Sequence, residues 1–207
     1  MRVLVVGAAG KTGRAVVEKA KAAGHEVTAF VRHPSKFDVD GVEVREGDAT
    51  DRVAMDAAMQ GHDAVIDTVG GKTPYKKTTL ESSAAKTIIE SMLSVGARRL
   101  IVTSMIGEGD STAVTPVYDR LLLATFLRGA KPDKAAMESA VRSSGLDWVI
   151  TRPAILKDDA ATGDVRVFTS ETGGKAHTIT REDLAVFLVA QLVSDQYVGQ
   201  AVTIANR

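Results

Sequence analysis

The sequence predicts an α/β fold, a doubly wound parallel sheet with helices on both faces. Two observations predict it. Short apolar runs rich in β-branched residues alternate with stretches of helical spacing, and the first run ends in three closely spaced glycines that open a helix. Strands covered on both faces read as unbroken apolar bursts, and strands that alternate with helices join by right-handed parallel crossovers.

The strand-like runs fall at Val3 to Val6, Val27 to Val31, Val42 to Val44, Ala64 to Val69, Leu100 to Thr103 and Trp148 to Thr151. All are expected to be buried on both faces. Helical spacing covers Lys11 to Ala23, Arg52 to Met59, Leu80 to Val95 and Asp133 to Ser143. Gly24 and Gly96 stand where left-handed C-terminal caps would end two of these helices. The stretch Thr115 to Arg128 is helical in pattern but lies between a strand and another helix. It reads either as a core helix with its leucines turned inward or as an insertion over a pocket. After Pro153, GDVRVFTSETGG reads as a strand and a turn, TREDLAVFLVAQLV as a helix with Thr180 as its N-cap, and AVTIA as a last strand. This tail is expected to be a small C-terminal annex of the same domain, covering one end of the sheet. Residues 1–207 then form a single domain, with substrate-side elements mainly in 105–130 and 153–207.

Composition narrows the function classes. At 207 residues the chain is too short for two full-sized domains. Lysine plus arginine number 26 and aspartate plus glutamate 26, so no global charge draws the protein to nucleic acid or to an anionic membrane. Aromatic residues make up only 4%, too few for base-stacking platforms. There is no cysteine, which excludes disulfides, thiolate metal ligands and a cysteine nucleophile. RVLVV runs directly into the glycines, so no signal peptide is expected, and no apolar stretch is long enough for a membrane span. The expectation is a soluble cytoplasmic protein. His25, His33, His62 and His177 fall at loop or strand edges without metal-ligand spacing, and are expected at the surface with no metal bound.

The chemistry gathers where predicted strands end. GAAGKTG places Gly7, Gly10 and Gly13, with Lys11 and Thr12, between a strand and a helix. The first glycine permits the turn, the second lets backbone approach a pyrophosphate, and the third lets the helix pack against the strand. The helix N-terminus then offers N–H groups to phosphate. A structural glycine-rich turn is the alternative. The second run leads into FVRHPSK, where a carboxylate would suit the ribose 2′-hydroxyl of NAD; instead Arg32 stands there with Ser35 and Lys36, which suits the 2′-phosphate of NADP(H). A solvated basic loop is the plainer reading. In EGDATD, Asp48 is placed to accept from adenine beside the Ala49 backbone, or else to cap the helix that begins near Asp51. Val69, Gly70 and Gly71 permit the chain to pass close to the second ribose, or form an ordinary turn. Ser104 would face the nicotinamide end or cap the next turn, with Met105 and Ile106 as pocket walls. Pro153 and Ala154 would line the nicotinamide from the other side, and Arg152 reads as a structural ion-pair partner.

Taken in order, VVGAAGKTG, FVRHPSK, GDATD, HDAVIDTVG, VTSM, DKAAMESAVRSSGLDWVITRP and TREDLAVFLVAQLVSDQYVGQAVTI resemble the atypical short-chain dehydrogenase/reductases. The resemblance is to the NAD(P)H-binding branch that includes biliverdin-IXβ/flavin reductase and NmrA-like proteins, and it spans nearly the whole chain. It implies a Rossmann-like, monomeric or weakly dimeric reductase that passes hydride from NADPH to a flat conjugated acceptor such as a flavin or quinone. It also implies that Lys134 holds the nicotinamide ribose and that Ser104 supplies the hydroxyl at the nicotinamide end, the two forming the catalytic pair. The sequence departs from the wider superfamily at the YxxxK pair: four residues before Lys134 stands Ala130, and Tyr118 lies further upstream. The flavin-reductase branch has a histidine where this chain has Ala154. A second implication of the resemblance is an NmrA-like redox sensor that binds NADP(H) without turnover.

Overall fold

The computed structural model describes residues 1–71, 75–107, 109–116, 128–168 and 174–207. The central stretch of the predicted 115–128 helix, with Tyr118, lies outside the described residues. So do parts of the expected acceptor-side walls at 72–74, 108 and 169–173.

The alternation appears as β1 (Arg2–Val6), α1 (Lys11–Ala22), β2 (Glu26–Val31), β3 (Glu43–Glu46), α2 (Arg52–Met59), β4 (Ala64–Asp67), α3 (Leu80–Val95) and β5 (Arg99–Thr103). There follow α4 (Lys131–Arg142), β6 (Asp147–Pro153), β7 (Ile155–Lys157), β8 (Val165–Phe168), β9 (Thr178–Thr180), α5 (Arg181–Ala190) and β10 (Gln200–Asn206). Eight strands form one sheet in the order β3-β2-β1-β4-β5-β6-β10-β8. All pair in parallel except β8, which runs antiparallel to β10. The tail thus continues the sheet beyond β6, while β7 and β9 form a separate two-stranded ladder. No helix among the described residues is long and apolar enough to cross a membrane.

Alternation along the strands divides the core into two layers. Val3 and Val5 of β1, Ala29 of β2, Ile101 of β5 and Val149 of β6 pack beneath α1 and α5. Leu4, Val6, Phe30, Val65, Leu100 and Ile150 face α2, α3 and α4. One strand departs from the expected pattern. β3 has no fully buried residue, because Glu43, Arg45 and Glu46 occupy an edge strand that needs no apolar face on either side. His62 also departs: it is half-buried, with Nε2 2.9 Å from the Thr28 hydroxyl, because burial of the β2–β4 end draws it off the surface.

Caps are local and tertiary. Gly24 and Gly96 take positive φ at 81° and 78° after their helices. Thr180 accepts from the Asp183 N–H and starts α5. Asp183 gathers the tail: its carboxylate accepts from the N–H groups of Thr162 and Gly163 and from the hydroxyls of Thr162 and Thr180. Burial alone would raise its pKa, but these donors outweigh burial and hold it well below the usual carboxylate range.

Close contact between α1 and the end of β1 sets the sheet's carboxyl edge. A Cβ on Gly13 would lie 2.4 Å from the Gly7 carbonyl oxygen and 2.7 Å from the Ala8 Cα, both backbone atoms that cannot turn aside. Gly13→Ala is therefore expected to cost about 1–3 kcal/mol through overpacking. Urea unfolding should show this as a lower midpoint with an unchanged slope.

Candidate functional site

The chain runs from β1 outward through β2 and β3 and then returns to β4 on the other side of β1, so the switch in strand order lies between β1 and β4. Crevices in open α/β sheets form outside the strand ends at such a switch. Here a groove of about 280 Å³ lies along the carboxyl ends of β1 to β4.

Gly7, with φ of 80°, makes the turn out of β1, and the Gly10 N–H closes it onto the Gly7 carbonyl at 3.0 Å. A Cβ on Gly7 would stand 3.0 Å from the backbone of Thr68 and Val69, so β1 and the β4 loop touch through bare backbone. Gly10 is the N-cap of α1, no side chain caps the helix, and no acidic residue lies in its first turn. The helix N-terminus therefore keeps its unpaired N–H groups and its partial positive charge at the groove. Lys11 is exposed and pairs with Asp158, which also pairs with Arg181. Thr12 is partly buried in the same turn.

Arg32 and Lys36 line the groove with His33, while Ser35 is exposed in the adjacent 3₁₀ turn Pro34–Lys36 and does not line it. Arg14 holds this turn against α1 through the Lys36 carbonyl and the Asp38 carboxylate. Arg32 forms no ion pair among the described residues, which leaves its guanidinium open to a ligand. Asp48 and Ala49 complete this end. The alternative role of Asp48 as a helix cap is corrected: Asp51 caps α2, accepting from the Val53 and Ala54 N–H groups at 2.9 and 3.3 Å. Asp48 instead accepts from the Thr50 N–H and hydroxyl, which lower its pKa against burial.

Val69 and Gly70 also line the groove, whereas Gly71 lies just beyond and donates its N–H to Glu81 Oε1 at 3.3 Å. Phe30, Thr68 and Leu80 contribute walls that sequence reasoning missed. Phe30 was hidden because strand alternation marks it simply as core.

Ser104, Lys134, Pro153 and Ala154 do not line this groove. Ser104, Pro153 and Ala154 belong to the neighbouring ends of β5 and β6, and Lys134 to the first turn of α4. The Ser104 hydroxyl donates to Glu138 Oε1 at 2.7 Å, and Arg152 grips the same carboxylate through Nε at 2.8 Å and Nη2 at 2.6 Å. Arg152 is thus the ion-pair partner expected. Glu138 is pulled up by burial, but Arg152 and Ser104 more than reverse this and keep it below its usual value. Lys134 Nζ lies 2.8 Å from Glu81 Oε2 and donates to the Thr103 carbonyl at 3.2 Å. Pro153 is buried at the end of β6, and Ala154 packs with Ile106, Val114 and Phe168 in a small apolar cluster. Glu81, Asp133 and Glu138 had no sequence signal, since their partners lie in other elements.

Asp67, at the end of β4, is buried beside these groups. Burial pushes its pKa up to about 7; the Val69 N–H donor and the Lys134 charge lower it, and Glu81 raises it further. A folded pKa above the ordinary carboxylate value favours the proton-bound native state. That stability is fully present below pH of about 4 and is lost as pH rises to about 7. Asp67→Asn keeps an oxygen acceptor for Val69 and has no charge to desolvate. Its Tm is expected to match the parent's below pH of about 4 and to exceed it by roughly 3 °C or more at pH of about 8, at about 2–4 °C per kcal/mol. Thermal unfolding across that range checks this, and equal pH slopes for the two proteins would refute it.

Comparison with known proteins agrees with this geometry. A family model described as NAD(P)H-binding matches residues 7–195. A (4-alkanoyl-5-oxo-2,5-dihydrofuran-3-yl)methyl phosphate reductase of Streptomyces griseus is 27% identical, over 99% of this chain and 67% of its own. The uncharacterized protein YwnB of Bacillus subtilis is 28% identical, over 77% of this chain and 75% of its own. Among solved structures, ChuY, an anaerobillin reductase from Escherichia coli O157:H7, superposes with a TM-score of 0.78 at 26% identity, over 100% of this chain and 97% of that one. With the strand order and the matched span in agreement, the chain belongs to the NAD(P)H-binding family.

Proposed function

We propose that the protein is an NADPH-dependent reductase that delivers hydride to a flat conjugated acceptor of the flavin or quinone kind. The groove fits the coenzyme on three counts. Among the described residues the α1 N-terminus has no side-chain cap, the backbone at Gly7 and Gly10 is bare, and Arg32 forms no ion pair and lines the groove. In this reading Gly7, Gly10, Lys11, Thr12 and Gly13 hold the diphosphate, Arg32 with Ser35 and Lys36 holds the 2′-phosphate, and Asp48 and Ala49 meet adenine. Val69, Gly70 and Gly71 pass beside the second ribose, which Lys134 anchors, and Pro153 and Ala154 close the nicotinamide side.

The bound coenzyme supplies hydride, and the chain supplies orientation and field. The observation that carries the choice of acceptor is the Ser104 hydroxyl. Its proton is committed to buried Glu138, so it is not free to act as an acid. At the position of the YxxxK tyrosine stands buried Ala130. Neither Ser104 nor the YxxxK position therefore presents the acid that a ketone would need. A conjugated acceptor spreads the arriving charge and takes its proton from water. The name of the Streptomyces relative describes a carbon–carbon double bond conjugated to carbonyls, an acceptor of the same electronic kind.

Arg32→Ala is expected to raise the Kd for NADPH about tenfold to a hundredfold, as for loss of roughly 1.5–3 kcal/mol of charge-assisted bonding, and to change that for NADH by less than about threefold. Calorimetry with both coenzymes measures the difference, and equal losses for both would contradict the clasp. Mixed with NADPH and FMN or menadione, the protein is expected to consume the dihydronicotinamide absorbance faster than a protein-free control. Tight binding with no decay for any acceptor would transfer support to the NADP(H)-sensing reading.

A further inference from the structure

A single carboxylate joins two parts of the nicotinamide half that are distant in sequence. Glu81, in the first turn of α3, is 4% exposed. Its Oε1 receives the Gly71 N–H at 3.3 Å, and its Oε2 lies 2.8 Å from Lys134 Nζ. The same ammonium donates a hydrogen bond to the Thr103 carbonyl at 3.2 Å. The backbone of Glu81 is fixed from the opposite direction. Asp133, the neighbour of Lys134, accepts from the N–H groups of Glu81 and Ser82 at 3.0 and 2.9 Å. Helix α3 thus receives its cap from α4, and α4 has its lysine placed by α3.

We propose that Glu81 is the positioning residue of the nicotinamide half, setting the distance and orientation between the Gly70–Gly71 turn and the Lys134 ammonium so that both reach the same ribose. The proposal rests on the coenzyme reading of the groove given above. A long, flexible ammonium has many rotamers in water, and a buried counter-charge selects one of them. The charged groups acting on Asp67, the other carboxyl beside Lys134, are Lys134 from α4 and Glu81 from α3, and burial brings Asp67 to about 7. Below that pH Asp67 carries a proton, and the Glu81 ion pair acts with the Thr103 carbonyl to fix the lysine. Removing Glu81's charge while retaining its shape should loosen Lys134 and leave the adenosine end of the groove intact.

Two ligands separate the ends in calorimetry at a pH of about 6.5. One is 2′,5′-ADP, which carries the 2′-phosphate but no nicotinamide ribose; the other is NADPH. Glu81→Gln is expected to leave the Kd for 2′,5′-ADP within about twofold of the parent and to raise that for NADPH about tenfold, with Glu81→Asp between parent and Gln. Unchanged NADPH affinity in Glu81→Gln, or equal loss for both ligands, overturns the proposal, because a merely structural role would weaken both. If the parent fails to bind 2′,5′-ADP, the coenzyme reading falls and this proposal with it. Should no Glu81 variant fold, the Gly71 amide resonance of the parent gives the decision. It is expected to shift with NADPH and to stay in place with 2′,5′-ADP, and a shift with neither overturns the proposal.

Discussion

The structure depends on how closely α1 approaches the end of β1. With no side chain at Gly13 the helix seats its first turn against the carbonyl of Gly7, and the β1 turn in turn touches the backbone of Thr68 and Val69. The ends of β1 and β4 and the start of α1 therefore share one point. Because that point is made of backbone, the glycines themselves put no side chain in front of the α1 N–H groups, and a crevice lies at the strand-order switch. The parallel topology fixes where the crevice lies, and the small residues determine that it is accessible.

Beyond that point the carboxyl edge changes character. On the β2–β3 side the groove is open and is lined by the Arg32 guanidinium, which forms no ion pair among the described residues. On the β4–β6 side charges are buried and paired: Lys134 with Glu81, and Glu138 with Arg152 and Ser104. Buried pairs add little net stability over apolar packing, because desolvation offsets their attraction, but removing one partner is costly. Their effect is to hold groups in place. Lys134 and Glu138 lie one turn apart on α4. Lys134 holds Thr103 at the end of β5 and Glu81 of α3, while Glu138 holds the adjacent Ser104 and Arg152 of β6, so one helix orders both clusters.

Much of the fold was legible because its information is local. Helices Arg52–Met59 and Leu80–Val95 have the bounds their periodicity predicts, and Thr180 caps α5 as read. β3 was located but its burial was misjudged: a run of Val42 to Val44 suggests a core strand, whereas edge position is a property of the whole sheet. The place of the groove was legible for the same local reason, since Gly7 and Gly10, read from the strand–helix junction, line it. Asp48 was ambiguous because Asp51, three residues later, satisfies the same capping geometry. The buried cluster was illegible. Glu81 and Lys134 are 53 positions apart in the chain, and nothing in either neighbourhood indicates that they meet.

The exposed strand β3 has a consequence for behaviour in concentrated solution. A bare rim of a parallel sheet is a template on which a second polypeptide can add its own hydrogen bonds. Here the rim is four residues long, carries Glu43, Arg45 and Glu46, and has Arg45 folded back onto the carbonyls of Ala57 and Ala58. An incoming strand would have to strip water from these charges and displace that guanidinium. The shortness and polarity of β3, which make it a poor core strand, disfavour strand addition at this edge of the sheet.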